Sequence, residues 1–207
     1  MATAVKICGI TRVEDAFAAA RAGAYGIGLV FYAPSPRYVA LAQARDIVAA
    51  LPPFVTTVGV FVDPAEEEVR KTLAEVPVQM LQFSGSERAG FCRRFDRPYI
   101  KAVHMKGGVD LLQYAREYHD AKALLLDAYV EGLHGGSGMA FDWNRVPRRL
   151  PLPVILSGGL TVANVKDAVR RVRPDGVDVS SGVESAKGVK DAAKIAAFIK
   201  GVRDADS

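Results

Sequence analysis

Short apolar runs alternate with helical patterns along the whole chain, at a spacing that predicts parallel β-α units. Strands are predicted at Val5–Cys8, Tyr25–Phe31, Thr57–Val62, Val78–Phe83, Tyr99–His104, Ala123–Asp127, Val154–Leu156 and Gly176–Ser180. Helices are predicted at Val13–Ala22, Ala40–Leu51, Ala65–Glu75, Ser86–Phe95, Val109–Tyr118, Val162–Val172 and Val189–Val202. Trp143 to Pro147 is too short and too broken by proline to add another. An open doubly wound sheet would need its glycine fingerprint after the first strand. Here Gly9 stands alone there and the glycines cluster late. The pattern therefore predicts an α/β chain folded as a (β/α)8 TIM barrel, a single compact domain over residues 1–207. That is compact against the roughly 250 residues typical of the fold.

Two of the predicted strands end in small residues. Leu156 runs into Ser157-Gly158-Gly159, and Val179 into Ser180-Ser181-Gly182. Glycine lets a ligand reach bare backbone N–H groups, and a following helix N-terminus favours an anion. One such turn reads as an ordinary strand–helix connection. Two on neighbouring strands, the seventh and eighth, read as the phosphate grip of a barrel.

Composition narrows the setting. Half of the 207 residues are hydrophobic, enough for a substantial core. No apolar run is long enough to cross a membrane as a helix. Met1 to Lys6 lead straight into a strand without signal-peptide layout, and Cys8 and Cys92 make no disulfide framework. Both features predict a cytoplasmic protein. The net charge is +4, but the basic residues are scattered and lack aromatic interleaving, so no nucleic-acid partner is predicted. A mildly basic surface helps attract an anionic small molecule.

In a barrel, chemistry sits at the C-terminal ends of the strands. Alternation in the first strand turns Lys6 and Cys8 to one face, and Val5 and Ile7 to the other. With the apolar pair facing outer helices, Lys6 and Cys8 point inward. A lone cysteine is usually a small buried hydrophobe. Here a cation on the same face could instead lower its pKa and favour the thiolate. After the second strand, Pro34-Ser35-Pro36 stiffens a loop that delivers Arg37, either a solvated side chain or a planar fork for an anion. Gln82 ends the fourth strand as a weak candidate for hydrogen bonding in the mouth. Asp127 closes the apolar sixth strand, a costly place for a carboxylate unless it is paired or used. A glycine-rich run, Gly132 to Gly138, follows and could close over substrate. His104, His119 and His134 match no zinc spacing and are read as structural or surface residues. Cys92 is read as helix packing.

These residues resemble one family. K-I-C-G-I-T at the first strand, F-Y-A-P-S-P-R-Y-V after the second and L-L-L-D-A at the sixth are similar to phosphoribosylanthranilate isomerase. So are G-G-S-G-M-A-F-D-W, I-L-S-G-G-L-T and D-V-S-S-G-V-E, all in order across the chain. The resemblance implies a barrel that performs an Amadori rearrangement in tryptophan biosynthesis, using no metal and no organic cofactor. It implies Cys8 as general base, Asp127 as general acid, and Arg37 at the anthranilate carboxylate. It places the substrate phosphate at Gly158, Gly159, Ser181 and Gly182. The family often shows L-Q-L-H-G after the fourth strand, whereas this chain has Leu81-Gln82-Phe83-Ser84-Gly85. The sister isomerase of histidine biosynthesis would instead use two aspartates and a second phosphate turn in the first half of the chain. The sequence leaves monomer and homodimer both open.

Overall fold

The computed structural model describes residues 2–128 and 141–207. Eight parallel strands close into a barrel in chain order: β1 Ala4–Cys8, β2 Gly26–Val30, β3 Thr56–Phe61, β4 Met80–Phe83, β5 Tyr99–His104, β6 Ala123–Asp127, β7 Val154–Leu156 and β8 Gly176–Val179. β8 pairs back onto β1, with Lys6 opposite Asp178. Around them lie α1 Val13–Ala22, α2 Leu41–Ala50, α3 Glu66–Glu75, α4 Ala89–Cys92, α5 Leu111–Glu117, α6 Val165–Val172 and α7 Ala192–Asp206.

The strand alternation sorts the core into layers. Ile7, Ile27, Leu29, Phe61, Leu81 and Phe83 face outward and pack with helix residues such as Ala16, Ala19, Ile47 and Val69. The opposite faces fill the barrel. Cys8 packs there with Val30, Val58 and Val60, and Ile100, Ala102, Ala123 and Leu125 form a second interior group. Burying a strand on both faces removes the polar–apolar alternation that a one-sided sheet would show.

Three predicted helices change at their N-termini. The predicted Ser86–Phe95 shrinks to α4 plus a 3₁₀ turn at Arg93–Phe95. Glu87 is buried and accepts from the amides of Asp63 and Gly85, and its carboxylate pairs with Lys101 at 2.9 Å. Those contacts hold the segment as a loop. The helix predicted from Val162 begins at Val165, because the Thr161 amide donates to Asn164 Oδ1 in a turn. The helix predicted from Val189 begins at Ala192, capped by Asp191, whose Oδ1 accepts from the Ala193 and Lys194 amides. Val189–Lys190 is instead a strand, β10, paired antiparallel with β9, Glu184–Ala186. Gly188 turns that hairpin at φ 77°. Trp143–Arg145 forms a single 3₁₀ turn.

Candidate active site

The barrel brings its strand ends together around one cavity. Cys8, Arg37, Gln82 and Asp127 line it from the first half of the site, and Ser157, Gly158, Gly159, Ser180 and Ser181 from the second. The glycine-rich run and His134 lie outside the described residues.

Asp178 also lines the cavity and forms a buried ion pair with Lys6 at 2.6 Å. The Ser157 hydroxyl donates to the other Asp178 oxygen at 3.3 Å. Burial works to deprotonate Lys6, but Asp178 outweighs it and holds the ammonium above its ordinary pKa. Cys8 lies on the same face, 8% exposed. Burial pushes its thiol up, while Lys6 and Lys190 pull it down and Asp178 adds to the rise. The net direction is upward, which corrects the expectation that Lys6 makes Cys8 a resting thiolate. The physical reason is burial, which outweighs the pull of Lys6, whose charge is in addition paired with Asp178.

Asp127 stands at the end of β6, in register with His104 of β5. Burial, reinforced by the charge of Asp178, pushes its carboxyl up to about 7, against the Ala128 amide and Lys6. A carboxyl with that pKa carries a proton for a good part of the time at neutral pH and can deliver it.

The two glycine turns do different work. The Ser157 amide donates to Leu126 O and the Thr161 amide to Asn164. Between them, the amides of Gly158, Gly159 and Leu160 donate to no backbone carbonyl among the described residues. Gly158 and Gly159 take φ of 77° and 66°, left-handed values that suit glycine. A Cβ on Gly158 would lie 2.2 Å from the Ala128 nitrogen and 2.8 Å from Asp127 Oδ1. Gly158 thus lets the β7 turn close against the catalytic candidate on β6. Gly182 lies behind the cavity, where a Cβ would lie 2.0 Å from the Leu160 carbonyl. Its bareness joins the two turns to each other.

Arg37 does not present an empty fork. Its Nε and Nη2 donate to the two Glu184 carboxylate oxygens at 2.7 and 2.9 Å. Gln82 is 4% exposed; its Nε2 donates to Ser84 Oγ at 3.0 Å, and its Oε1 is buried with no hydrogen-bond partner. Ser84, in place of the family histidine, accepts on its carbonyl from His104 Nε2 at 2.9 Å.

Four residues at this site escaped the sequence reading. His104 was judged structural or surface, yet it lines the cavity at the end of β5. Asp178 left a signal, a carboxylate inside the apolar run G-V-D-V with Lys6 in another strand. Glu184 closes the D-V-S-S-G-V-E motif, which gave no sign of its partner, and Lys190 left no signal because its segment reads as helix. Two further readings agree with the structure. Cys92 is buried with its thiol pushed to about 12 by burial, and His119 meets Arg93 at the surface.

Residues 5–201 match the sequence model of the family described as N-(5'-phosphoribosyl)anthranilate (PRA) isomerase. The chain belongs to the phosphoribosylanthranilate isomerase family. It is 56% identical to N-(5'-phosphoribosyl)anthranilate isomerase of Nitrosospira multiformis, over the full length of both chains. The crystal structure of phosphoribosyl anthranilate isomerase from Thermotoga maritima superposes with a TM-score of 0.89 at 39% identity, covering 98% of this chain and 99% of that one. A second isomerase structure, in complex with reduced 1-(o-carboxyphenylamino)-1-deoxyribulose 5-phosphate, gives a TM-score of 0.86 at 39% identity, with the same coverage. The barrel is therefore that of the phosphoribosylanthranilate isomerases, and so is the activity. It isomerises N-(5-phosphoribosyl)anthranilate to 1-(2-carboxyphenylamino)-1-deoxyribulose 5-phosphate, an Amadori rearrangement of tryptophan biosynthesis by general acid–base catalysis. No helix among the described residues is long and apolar enough to cross a membrane.

Proposed function

We propose that Cys8 is the general base and Asp127 the general acid of this isomerase, working on a substrate held between the glycine turns and Arg37. The observation that carries the reading is that Asp127, with its carboxyl at about 7, faces the same cavity as Cys8 from a strand three places away around the ring. Asp127 protonates the ribose ring oxygen. The C1′–O bond breaks, and the anilino nitrogen lone pair forms the iminium. Cys8, as thiolate, takes the C2′ proton from the other side of the sugar, and the C2′–H electrons pass into the iminium to give the enolamine. That intermediate tautomerises to the keto product. Gly158, Gly159 and Ser181 meet the phosphate through backbone amides, with Gly182 setting their spacing, and Gln82 Oε1 accepts a hydrogen bond from substrate. The direct experiment follows the loss of phosphoribosylanthranilate fluorescence with purified protein, comparing wild type with Cys8 and Asp127 variants.

The two cysteines are free and buried, which fits a single domain of residues 1–207 working in the reducing cytoplasm.

Phosphate recognition has its own test. Inorganic phosphate should compete with substrate in the wild type. Gly159→Val puts a side chain where the amides meet the anion and should raise KM by about 10–150-fold, the loss of one charge-assisted hydrogen bond. The φ of 66° makes the change strained as well, so Tm is measured alongside. Normal KM in a folded variant, with wild type indifferent to phosphate, would move the grip elsewhere.

Arg37 is assigned to the anthranilate carboxylate. With Nε and Nη2 engaged by Glu184, it offers its remaining N–H donors. Arg37→Ala should lower kcat/KM by about 10–150-fold. Lysine should restore little of this, because a point charge beside Glu184 would pair with it instead. A product analogue lacking the carboxylate should bind wild type much more weakly than the full product, and Arg37→Ala should scarcely distinguish the two. Equal discrimination by both proteins would return Arg37 to the status of a loop residue.

A further inference from the structure

Behind Arg37 the hairpin of β9 and β10 carries two buried charges that do not line the cavity. Glu184 holds the Arg37 fork at 2.7 and 2.9 Å and also accepts from Lys190 Nζ at 2.8 Å. The Lys190 side chain is wholly buried, and its Nζ donates to both the carbonyl and the hydroxyl of Ser180 at 3.2 Å. Ser180 borders the phosphate turn, so one chain of contacts runs from that turn through Lys190 and Glu184 to Arg37. The hairpin is itself pinned, since the Lys190 amide donates to Asp15 on α1 at 2.9 Å. Gly9 leaves room for the arginine stem: a Cβ there would come 2.6 Å from Arg37 Cδ and 3.0 Å from Ser180 Oγ.

A buried ion pair contributes little net stability, because desolvation offsets the attraction. Fixed geometry is its best-supported use. Burial works to protonate Glu184, but the Arg37 and Lys190 hydrogen bonds prevail and hold its carboxyl below the usual range. It is therefore ionised wherever the enzyme works. Glu184 takes the Nε side of the guanidinium, which fixes the plane of the fork and leaves one edge for substrate. Lys190 restores the positive charge that Glu184 removes, so the cluster keeps a net charge of +1 for an anionic substrate.

We infer that Glu184, backed by Lys190, is a positioning residue that aims Arg37 and thereby sets selectivity for a carboxylated aryl amine over an uncarboxylated one. This rests on the assignment of Arg37 to the substrate carboxylate.

The test measures inhibition of the intact enzyme by three probes. They are reduced 1-(o-carboxyphenylamino)-1-deoxyribulose 5-phosphate, the same compound without its carboxyl, and inorganic phosphate. The readout is the ratio of inhibition constants for the first two. Glu184→Gln keeps the shape, loses the charge and frees the fork, and should lower the ratio at least about fivefold. Its inhibition by phosphate should stay the same or tighten, because the local charge rises from +1 to +2. Glu184→Asp keeps the charge but draws the oxygens back, and should give an intermediate ratio; it decides the matter if the glutamine variant does not fold. An unchanged ratio in the Glu184 variants, with the ratio lost in Arg37→Ala, overturns the role of Glu184 alone. A ratio retained in Arg37→Ala overturns the Arg37 assignment instead. A ratio that falls only together with phosphate affinity marks general collapse of the site and overturns the positioning role.

Discussion

Cys8→Ala should fold, bind the product and turn over at least about 10²–10⁴-fold more slowly, the range that general acid–base groups supply. The change is mild for the fold. It removes one sulfur from an interior group with Val30, Val58 and Val60, and Ala is smaller than Cys, so nothing is overpacked. The sulfur rests over Gly28, where a Cβ would come within 2.7 Å, so the thiol occupies a slot shaped for it. The loss should fall on kcat, because the C2′ proton is taken only in the transition state. Cys8→Ser should be nearly as poor. A hydroxyl in the same buried place is a far weaker base, and burial that already raises the thiol would raise it further. Iodoacetamide should inactivate the wild type slowly at neutral pH, since the resting group is the thiol, and product should protect it. Near-normal kcat in Cys8→Ala would place the base elsewhere.

The barrel was legible because its strands and helices obey different periods. Parallel strands buried on both faces appear as short apolar runs, and all eight were found within about two residues of their ends. The errors cluster where side chains beyond the local segment decide the backbone. Glu87 belongs by pattern to a helix, yet Lys101 from β5 and the amides of Asp63 and Gly85 claim its carboxylate. Val189 and Lys190 look like a first helical turn, yet the Lys190 amide is bound to Asp15 and its ammonium reaches Ser180. Gly188 was the available warning, since a Lys-Gly pair between short strands is a turn signal.

The site was legible to a similar depth. Cys8, Arg37, Asp127 and the glycine turns announce themselves through strand ends and motif. Their electrostatics do not, because these depend on partners distant in sequence. Asp178 lies 172 residues from Lys6, and Glu184 lies 147 from Arg37. Sequence alternation placed Lys6 beside Cys8 but could not show that its charge was already engaged. Gly158 and Gly182 read as bare backbone for a ligand, while three-dimensional neighbours demand that bareness for packing as well.

Asp127→Asn should remove most turnover, lose one limb of the pH profile and stabilise the protein at alkaline pH. The productive form pairs a Cys8 thiolate with an Asp127 carboxylic acid. The resting form, thiol with carboxylate, holds the same number of protons, so pH does not shift one against the other. In the wild type kcat/KM should therefore rise as a proton leaves through about pH 7, stay flat, and fall in the raised thiol range. The second ionisation of the substrate phosphate lies lower, near about 6. With asparagine the rise near 7 should vanish, leaving the phosphate step and, in place of the alkaline fall, a rise as the Cys8 thiol ionises in its raised range. The stability effect has a definite sign. The Asp127 carboxyl is raised from 3.8 to about 7 in the folded protein, which therefore binds this proton more tightly than the unfolded chain. Its contribution to stability is fully present below pH 3.8 and is lost as pH rises through 7. That span corresponds to roughly 4 kcal/mol at most, and solvent at the cavity mouth reduces it to on the order of 2. Asparagine never bears the buried charge beside Asp178, so its advantage should be small at pH 5 and grow towards pH 8. Urea unfolding of both proteins at the two pH values reads this directly. Equal stability at pH 8, together with an unchanged rise in kcat/KM near pH 7, would take the acid role away from Asp127.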